Sequence, residues 1–155
     1  MFMLVMSDKM EKNIFKVICK KCNGKCCKLN VMLTKKDLEK LKDKVDLKDF
    51  KKYGKDIYVF WGRCPFLDIK KGCRLSEKLK PFDCKLFPLT FMYKKGKTKI
   101  FLNKKCPYTE EIPEKWINRT QKEVLKELKY WTKEEKETYT DLIKNHSSSK
   151  LVLLK

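Results

Sequence analysis

The 155-residue sequence has no alanine, one glutamine (Gln121), one histidine (His146), three arginines, and five residues each of glycine and proline. So little glycine and proline excludes a collagen-like or low-complexity chain. A single histidine allows no multi-histidine metal site, and His146 reads as a surface-loop residue rather than a ligand. It also leaves a Cys/His catalytic pair with one candidate base, distant in sequence from every cysteine. Three arginines leave little capacity for bidentate recognition of carboxylates or phosphates. No glycine-rich phosphate loop of the dinucleotide or S-adenosylmethionine kind follows any predicted strand. Long apolar runs are missing as well. The longest, Met1–Met6, falls far below the ~20 residues of a membrane-spanning helix, so no membrane partner is expected. It lacks a basic region before it and the ~7–15 apolar residues of a secretion signal. It therefore reads as a strand or chain end, and the expected location is the cytoplasm.

Lysine is abundant. Lys and Arg total 39 against 20 Asp and Glu, a net charge of +19. Such a lysine-rich, glutamine-poor composition resembles hyperthermophile proteins, and AT-rich codon usage gives the same pattern. Nine Phe, six Tyr and three Trp are spread along the chain, which argues against disorder. A chain of this size hides roughly 70% of its unfolded surface.

Charge divides the chain in two. Residues 1–108 carry 29 Lys and Arg against 11 Asp and Glu, and residues 109–155 carry 10 against 9. All eight cysteines lie in the first part. The expected organisation is a cysteine-rich metal- or cluster-binding module, 1–108, followed by a helical extension, 109–155. The expected fold class is α+β: a compact irregular cysteine-rich module with a small antiparallel sheet and a C-terminal helical hairpin.

Helical spacing predicts a first helix over Asp8–Ile18, with Met10, Ile14, Phe15 and Ile18 on one face. Thr34 caps a second, with Leu38, Leu41 and Val45 as its stripe. Ile57–Trp61 predicts a buried strand. Leu89–Tyr93 and Thr98–Leu102 flank Lys94-Lys95-Gly96-Lys97 as a hairpin. Thr120 with Glu123 predicts a capping box opening a helix to Trp131, with Val124, Leu125, Leu128 and Trp131 inward. Thr132 with Glu135 opens another, running to about Asn145. His146–Lys150 then reads as a surface loop before the apolar end Leu151–Leu154.

The cysteines follow the pattern Cys19-x2-Cys22-x3-Cys26-Cys27, then Cys64, Cys73, Cys84 and Cys106. Two thiolates separated by two residues can grip one soft metal ion from a tight loop. Asn23-Gly24 supplies the turn this needs. Cys64 and Cys106 are each followed by proline, Pro81 precedes Cys84 by three residues, and Phe87-Pro88 follows it. Proline stiffens the approach to a ligand. Buried thiols and disulfides are the alternatives, and metal or an iron–sulfur cluster is the leading reading.

The series Cys19-x2-Cys22-x3-Cys26-Cys27, Cys64-Pro65-Phe66-Leu67, Gly72-Cys73, Pro81-x2-Cys84, Phe87-Pro88 and Cys106-Pro107 resembles the YkgJ-type zinc- or iron-chelating family. It differs in having Lys80 and Lys85 where that family usually has arginine. The resemblance implies a chelating domain holding zinc or an iron–sulfur cluster. A related cysteine module occurs in flagellin lysine methylases, but this chain is too short to hold a methyltransferase domain as well. Spacing leaves zinc and [4Fe–4S] both open. One C-x2-C knuckle instead of two, together with a Cys-Pro end, leans toward the cluster. Whether one site or two is formed also stays open at this level; the simplest division sets Cys19, Cys22, Cys26 and Cys27 against Cys64, Cys73, Cys84 and Cys106.

The expected function is therefore metal or cluster binding, structural or for electron transfer. The alternatives are a nucleic-acid-binding protein with a structural metal site, and a modifying or accessory enzyme. For nucleic acid, Lys94, Lys95 and Lys97 would meet phosphates, while Phe91, Tyr93 and Phe101 would stack on bases. Asp68 and Asp83 are expected to be surface carboxylates, and no catalytic residue is assigned.

Overall fold

β-branched and aromatic residues concentrate around Ile57 and Leu89, and these positions lie in two separate three-stranded antiparallel sheets. The computed structural model describes residues 31–44, 46, 48, 50–54, 57–60, 64–68, 72–76, 78–147 and 151–154. The segment Met1–Met6, the helix expected at Asp8–Ile18 and the first four cysteines lie outside these residues.

The first sheet has the order β1-β3-β2, with β1 Val31–Thr34, β2 Phe50–Tyr53 and β3 Ile57–Phe60. Thr34 and Tyr53 both face Ile57 across the ladders. Ile57 and Val59 are fully buried on this central strand, as the apolar run predicts. The turn between β2 and β3 contains Gly54 at φ 66°. A Cβ at Gly54 would meet Thr138 Oγ1 at 2.9 Å, so glycine serves both the left-handed backbone and the close approach.

Helix α1, Lys35–Leu41, follows β1 directly. Thr34 Oγ1 accepts the Asp37 N–H, and Asp37 Oδ2 accepts the Thr34 N–H, a reciprocal capping box. The helix stops at Leu41, so its stripe reduces to buried Leu41 and half-buried Leu38. Val45 lies outside the described residues.

A short hairpin, β4 Leu67–Asp68 and β5 Gly72–Cys73, leads to the one-turn helix α2, Phe82–Leu86. The second sheet has the order β6-β7-β8, with β6 Leu89–Lys94, β7 Lys97–Asn103 and β8 Leu151–Leu153. The β6–β7 hairpin has the expected register, closing on Lys94 opposite Lys97. Lys95 and Gly96 turn at φ 53° and 77°. Two positive φ angles in a two-residue turn match the right-handed twist of the strands. The apolar end is not a free tail: Leu151–Leu153 pairs antiparallel with β7. Apolar composition alone does not reveal which edge a short terminal strand joins.

After a 3-10 turn at Thr109–Glu111 come α3, Glu114–Leu128, and α4, Lys133–Ser147. Helix α3 opens seven residues before the expected cap, at Pro113, whose carbonyl accepts the Trp116 and Ile117 N–H groups. Thr120 is therefore not a cap. It sits buried one turn before Val124, on the same stripe as Val124 and Leu128. Leu125, expected inside, is 45% exposed, because the stripe runs 120, 124, 128. Thr132 and Glu135 do form the expected reciprocal cap. The backbone of His146 and Ser147 belongs to the last turn of α4, so the expected loop begins later.

The helical hairpin and the sheets share one core. Ile57 and Val59, Leu89 and Phe91, Val124 and Leu128, and Tyr139, Leu142 and Ile143 belong to a single cluster. Phe91 stacks flat on Tyr139 at 4.1 Å, and Trp131 meets both rings edge-on. Helix α4 also closes the open edge of β6, where the Tyr93 N–H donates to Thr140 Oγ1 at 2.8 Å. The fold is α+β, as the pattern of elements predicts. Among the described residues no helix is long and apolar enough to cross a membrane.

Candidate metal centre

Backbone hydrogen bonds tie the four described cysteines to two parts of the scaffold. In the first, Cys64 O accepts the Leu67 N–H at 3.2 Å, and Leu67 faces Cys73 across the β4–β5 ladder. The Arg74 N–H donates to Phe66 O, and the Arg74 guanidinium donates to Pro65 O at 2.6 Å. Cys64 and Cys73 are thus tied to one small hairpin, with Cys73 exposed and Cys64 half-buried.

The second part joins the ends of α2 and β7. The chain leaves α2 through Phe87 and a cis peptide bond to Pro88. Pro88 O then accepts the Asn103 N–H at 2.7 Å. Three residues on, the Cys106 N–H donates to Asn103 O at 3.3 Å, and Asn103 Oδ1 accepts the Lys105 N–H. This holds the turn carrying half-buried Cys106 beside the chain that leaves α2, which carries exposed Cys84. Cys19, Cys22, Cys26 and Cys27 lie outside the described residues. Among the described residues no three Cys, His, Asp or Glu side chains gather within reach of one metal ion.

Two carboxylates fix α2 from either side, and neither stands out as structural in the sequence. Asp37 is buried, and its Oδ1 accepts the Phe82 N–H at 3.3 Å, the first amide of α2. Asp83, expected on the surface, turns its carboxylate inward. Oδ2 accepts the Met32 N–H at 3.1 Å and Oδ1 accepts the Tyr139 O–H at 2.8 Å. Tyr139 in turn lies 2.9 Å from Thr90 Oγ1. Burial raises the Asp83 carboxyl to about 6, against the pull of the Met32 and Tyr139 hydrogen bonds and with a contribution from the Asp37 charge. Burial, and then the Asp83 charge, push the Tyr139 phenol well above the usual tyrosine range. The sequence does hold a signal for this network: a tyrosine on the inner stripe of a helix needs a polar partner for its hydroxyl.

The consequence for Cys84 is directional. Asp83 and Leu86 point into the protein, so α2 presents Cys84 and Lys85 outward. Cys84 is exposed on a helical turn that Asp37 and Asp83 tether.

The hairpin lysines occupy a different place. Lys94, Lys95 and Lys97 are exposed at the β6–β7 tip. Phe91 is fully buried under Tyr139 and offers no face to a base, a correction to the stacking expected of it. Tyr93 is half-buried, with the Lys136 ammonium 5.2 Å from its ring centre. Phe101 remains half-buried on the neighbouring strand.

A family model described as "CxxCxxCC: Putative zinc- or iron-chelating domain" matches residues 18–110, well over half of the chain. The resemblance drawn from Cys19 to Pro107 is borne out by that match. No curated protein and no solved structure matches the chain.

Proposed function

Because the chain belongs to the CxxCxxCC family of zinc- or iron-chelating domains, we propose that it holds zinc or a [4Fe–4S] cluster through its cysteine thiolates, in a structural or electron-transfer role. The observation that carries this reading is the bracketing of the later cysteines, Cys64 with Cys73 and Cys84 with Cys106, by backbone that the fold fixes. Each bracket offers two soft donors, and a closed zinc or cluster site needs four. The further donors are Cys19, Cys22, Cys26 and Cys27, in one site or two.

Zinc would supply a structural tie, and a cluster would supply one-electron exchange. The chain contributes preorganisation. Pro65 and Pro107 restrict the backbone next to Cys64 and Cys106, and Asp37 and Asp83 hold α2 in place under Cys84. Residues 1–108 form the chelating module, and 109–155 form an extension that completes its core. The end of the family match at residue 110 supports that boundary.

The test is anaerobic purification followed by visible absorption and by iron, zinc and acid-labile sulfide analysis. A brown protein with iron and sulfide selects the cluster, and a colourless protein with zinc selects the structural ion. A protein that takes up neither metal, even on reconstitution with its thiols reduced, overturns the reading.

A further inference from the structure

Helices α1, α2 and α3 and the α3–α4 turn line an open cleft of about 480 Å³, to which Lys85, the neighbour of Cys84, contributes. That volume lies within the range of roughly 300–1,000 Å³ common for small-molecule sites. One wall is cationic, with Lys35, Lys36 and Lys40 from α1 and Lys85 from α2. Lys36 is paired with Glu127 across the cleft at 3.6 Å. Lys35, Lys40 and Lys85 are exposed and make no ion pair among the described residues.

The lining also carries four carboxylates, as many as its lysines, and three of the four are held in fixed contacts. Asp37 caps α1 and α2, Glu135 accepts the Thr132 N–H, and Glu127 pairs with Lys36. Glu123, exposed on α3, is left facing the cleft. The third feature is aromatic. Trp131 lines the cleft half-buried, and Tyr130 beside it is 81% exposed, the most exposed large apolar side chain among the described residues. A ring so exposed adds nothing to the core.

We propose that this cleft binds a nucleoside phosphate. The phosphate sits against Lys35, Lys40 and Lys85, and the base stacks on Tyr130 beside Trp131. An exocyclic amine of the base donates to Glu123. Three lysines outside any ion pair among the described residues can donate charge-assisted hydrogen bonds to a phosphate, and an exposed ring serves any base through its π-face. A bare polyphosphate would gain nothing from Tyr130 and would be repelled by Glu123. The β6–β7 tip, which has lysines, lacks such a ring, since Phe91 is buried and Tyr93 is half-covered. The ligand is either a free mononucleotide or one nucleotide of a single strand, and the two share this chemistry.

Calorimetric titration of the metal-loaded protein at low salt tests the proposal, with AMP, inorganic phosphate and a single-stranded hexanucleotide as probes. AMP is expected to saturate one site. Phosphate, lacking the base, should bind roughly five- to a hundredfold more weakly, and Tyr130→Ala should weaken AMP by a similar factor. Tyr130→Phe, which keeps the ring, should restore it. The Lys35→Gln, Lys40→Gln double variant should weaken AMP. Reversal of Lys94, Lys95 and Lys97 to Glu should leave AMP unchanged. Metal content and melting temperature should match the parent in every variant, which separates this site from the thiolate centre. A hexanucleotide that binds more tightly than AMP and also depends on Tyr130 assigns the cleft to a strand; equal affinity assigns it to a free nucleotide. No AMP binding, equal binding of AMP and phosphate, or indifference to Tyr130→Ala overturns the proposal.

Discussion

Asp83 carries an ionisable carboxyl in the interior, one residue from an outward-facing cysteine. Its folded pKa, about 6, lies above the 3.8 of an ordinary aspartate. A raised carboxyl favours folding while it is protonated, and that contribution fades as pH climbs from about 4 through 6. A displacement of this size corresponds to at most about 3 kcal/mol. Asp83→Asn stays neutral. Its oxygen can accept from Met32 N–H, its amide can donate to Tyr139, and Tyr139 can donate to Thr90. The variant's stability relative to the parent should therefore rise between pH 4.5 and pH 7.5, as measured by urea unfolding. A constant difference across that range would show that Asp83 is already ionised without cost. A second prediction at this scale concerns ligand rank. Cys22 stands in the close series Cys19-x2-Cys22-x3-Cys26-Cys27, whereas Cys106 is carried in a turn beyond a hairpin. Cys22→Ser should lower bound metal, by elemental analysis, more than Cys106→Ser. Equal losses would make Cys106 a full ligand.

Among the elements, the β2–β3 turn brings backbone close to helix α4 at Gly54. Gly54→Ala must place a Cβ 2.9 Å from Thr138 Oγ1 and hold alanine at φ 66°. The left-handed backbone alone costs roughly 1–2 kcal/mol, and the collision adds to it. Thr138→Ala in the same chain should remove the collision and leave the backbone part. Thermal unfolding of the two single variants and the double variant separates the two effects. No recovery in the double variant would mean that the approach to α4 is not what Gly54 protects. The β6–β7 turn offers the converse case. Lys95 occupies a left-handed position at φ 53°, where asparagine is better suited. Lys95→Asn should raise stability by up to about 1 kcal/mol, and a decrease would show that this lysine has a partner the turn geometry does not suggest.

At the scale of the whole molecule, the net charge of +19 is unevenly shared. The early part has +18 and the helical extension +1 by residue count. Such a field attracts polyanions without specificity, and that attraction weakens steeply with salt. Reversing Lys94, Lys95 and Lys97 should reduce the affinity for a long single strand. It should also flatten the dependence on salt, by roughly 0.7 in log–log slope for each phosphate no longer neutralised. An unchanged slope, read from titrations at several salt concentrations, would place the strand elsewhere on the surface.

Local chemistry is legible from the sequence where it acts over a few residues. The Thr34 and Thr132 caps, the two-residue turn at Lys95-Gly96, the buried alternation of Ile57 and Val59 and the cysteine-proline series all depend on spacing, and spacing survives in one dimension. The start of α3 is not legible, because Thr120 and Glu123 have the letters of a cap, and only packing decides that Thr120 continues the buried stripe. The inward turn of Asp83 depends on Met32, 51 residues away, and on Tyr139, 56 residues away. The bracketing of Cys84 with Cys106 depends on Pro88 meeting Asn103. The cleft needs four helical segments in place at once, as does the exposure of Tyr130 beside it. By itself the sequence determined the caps, the β6–β7 turn and the buried strand at Ile57, because those follow from neighbours along the chain. The tertiary structure alone decided which carboxylates lose water, which cysteines share a scaffold and where the lysines face an aromatic ring, because each requires residues distant in sequence to exclude solvent together.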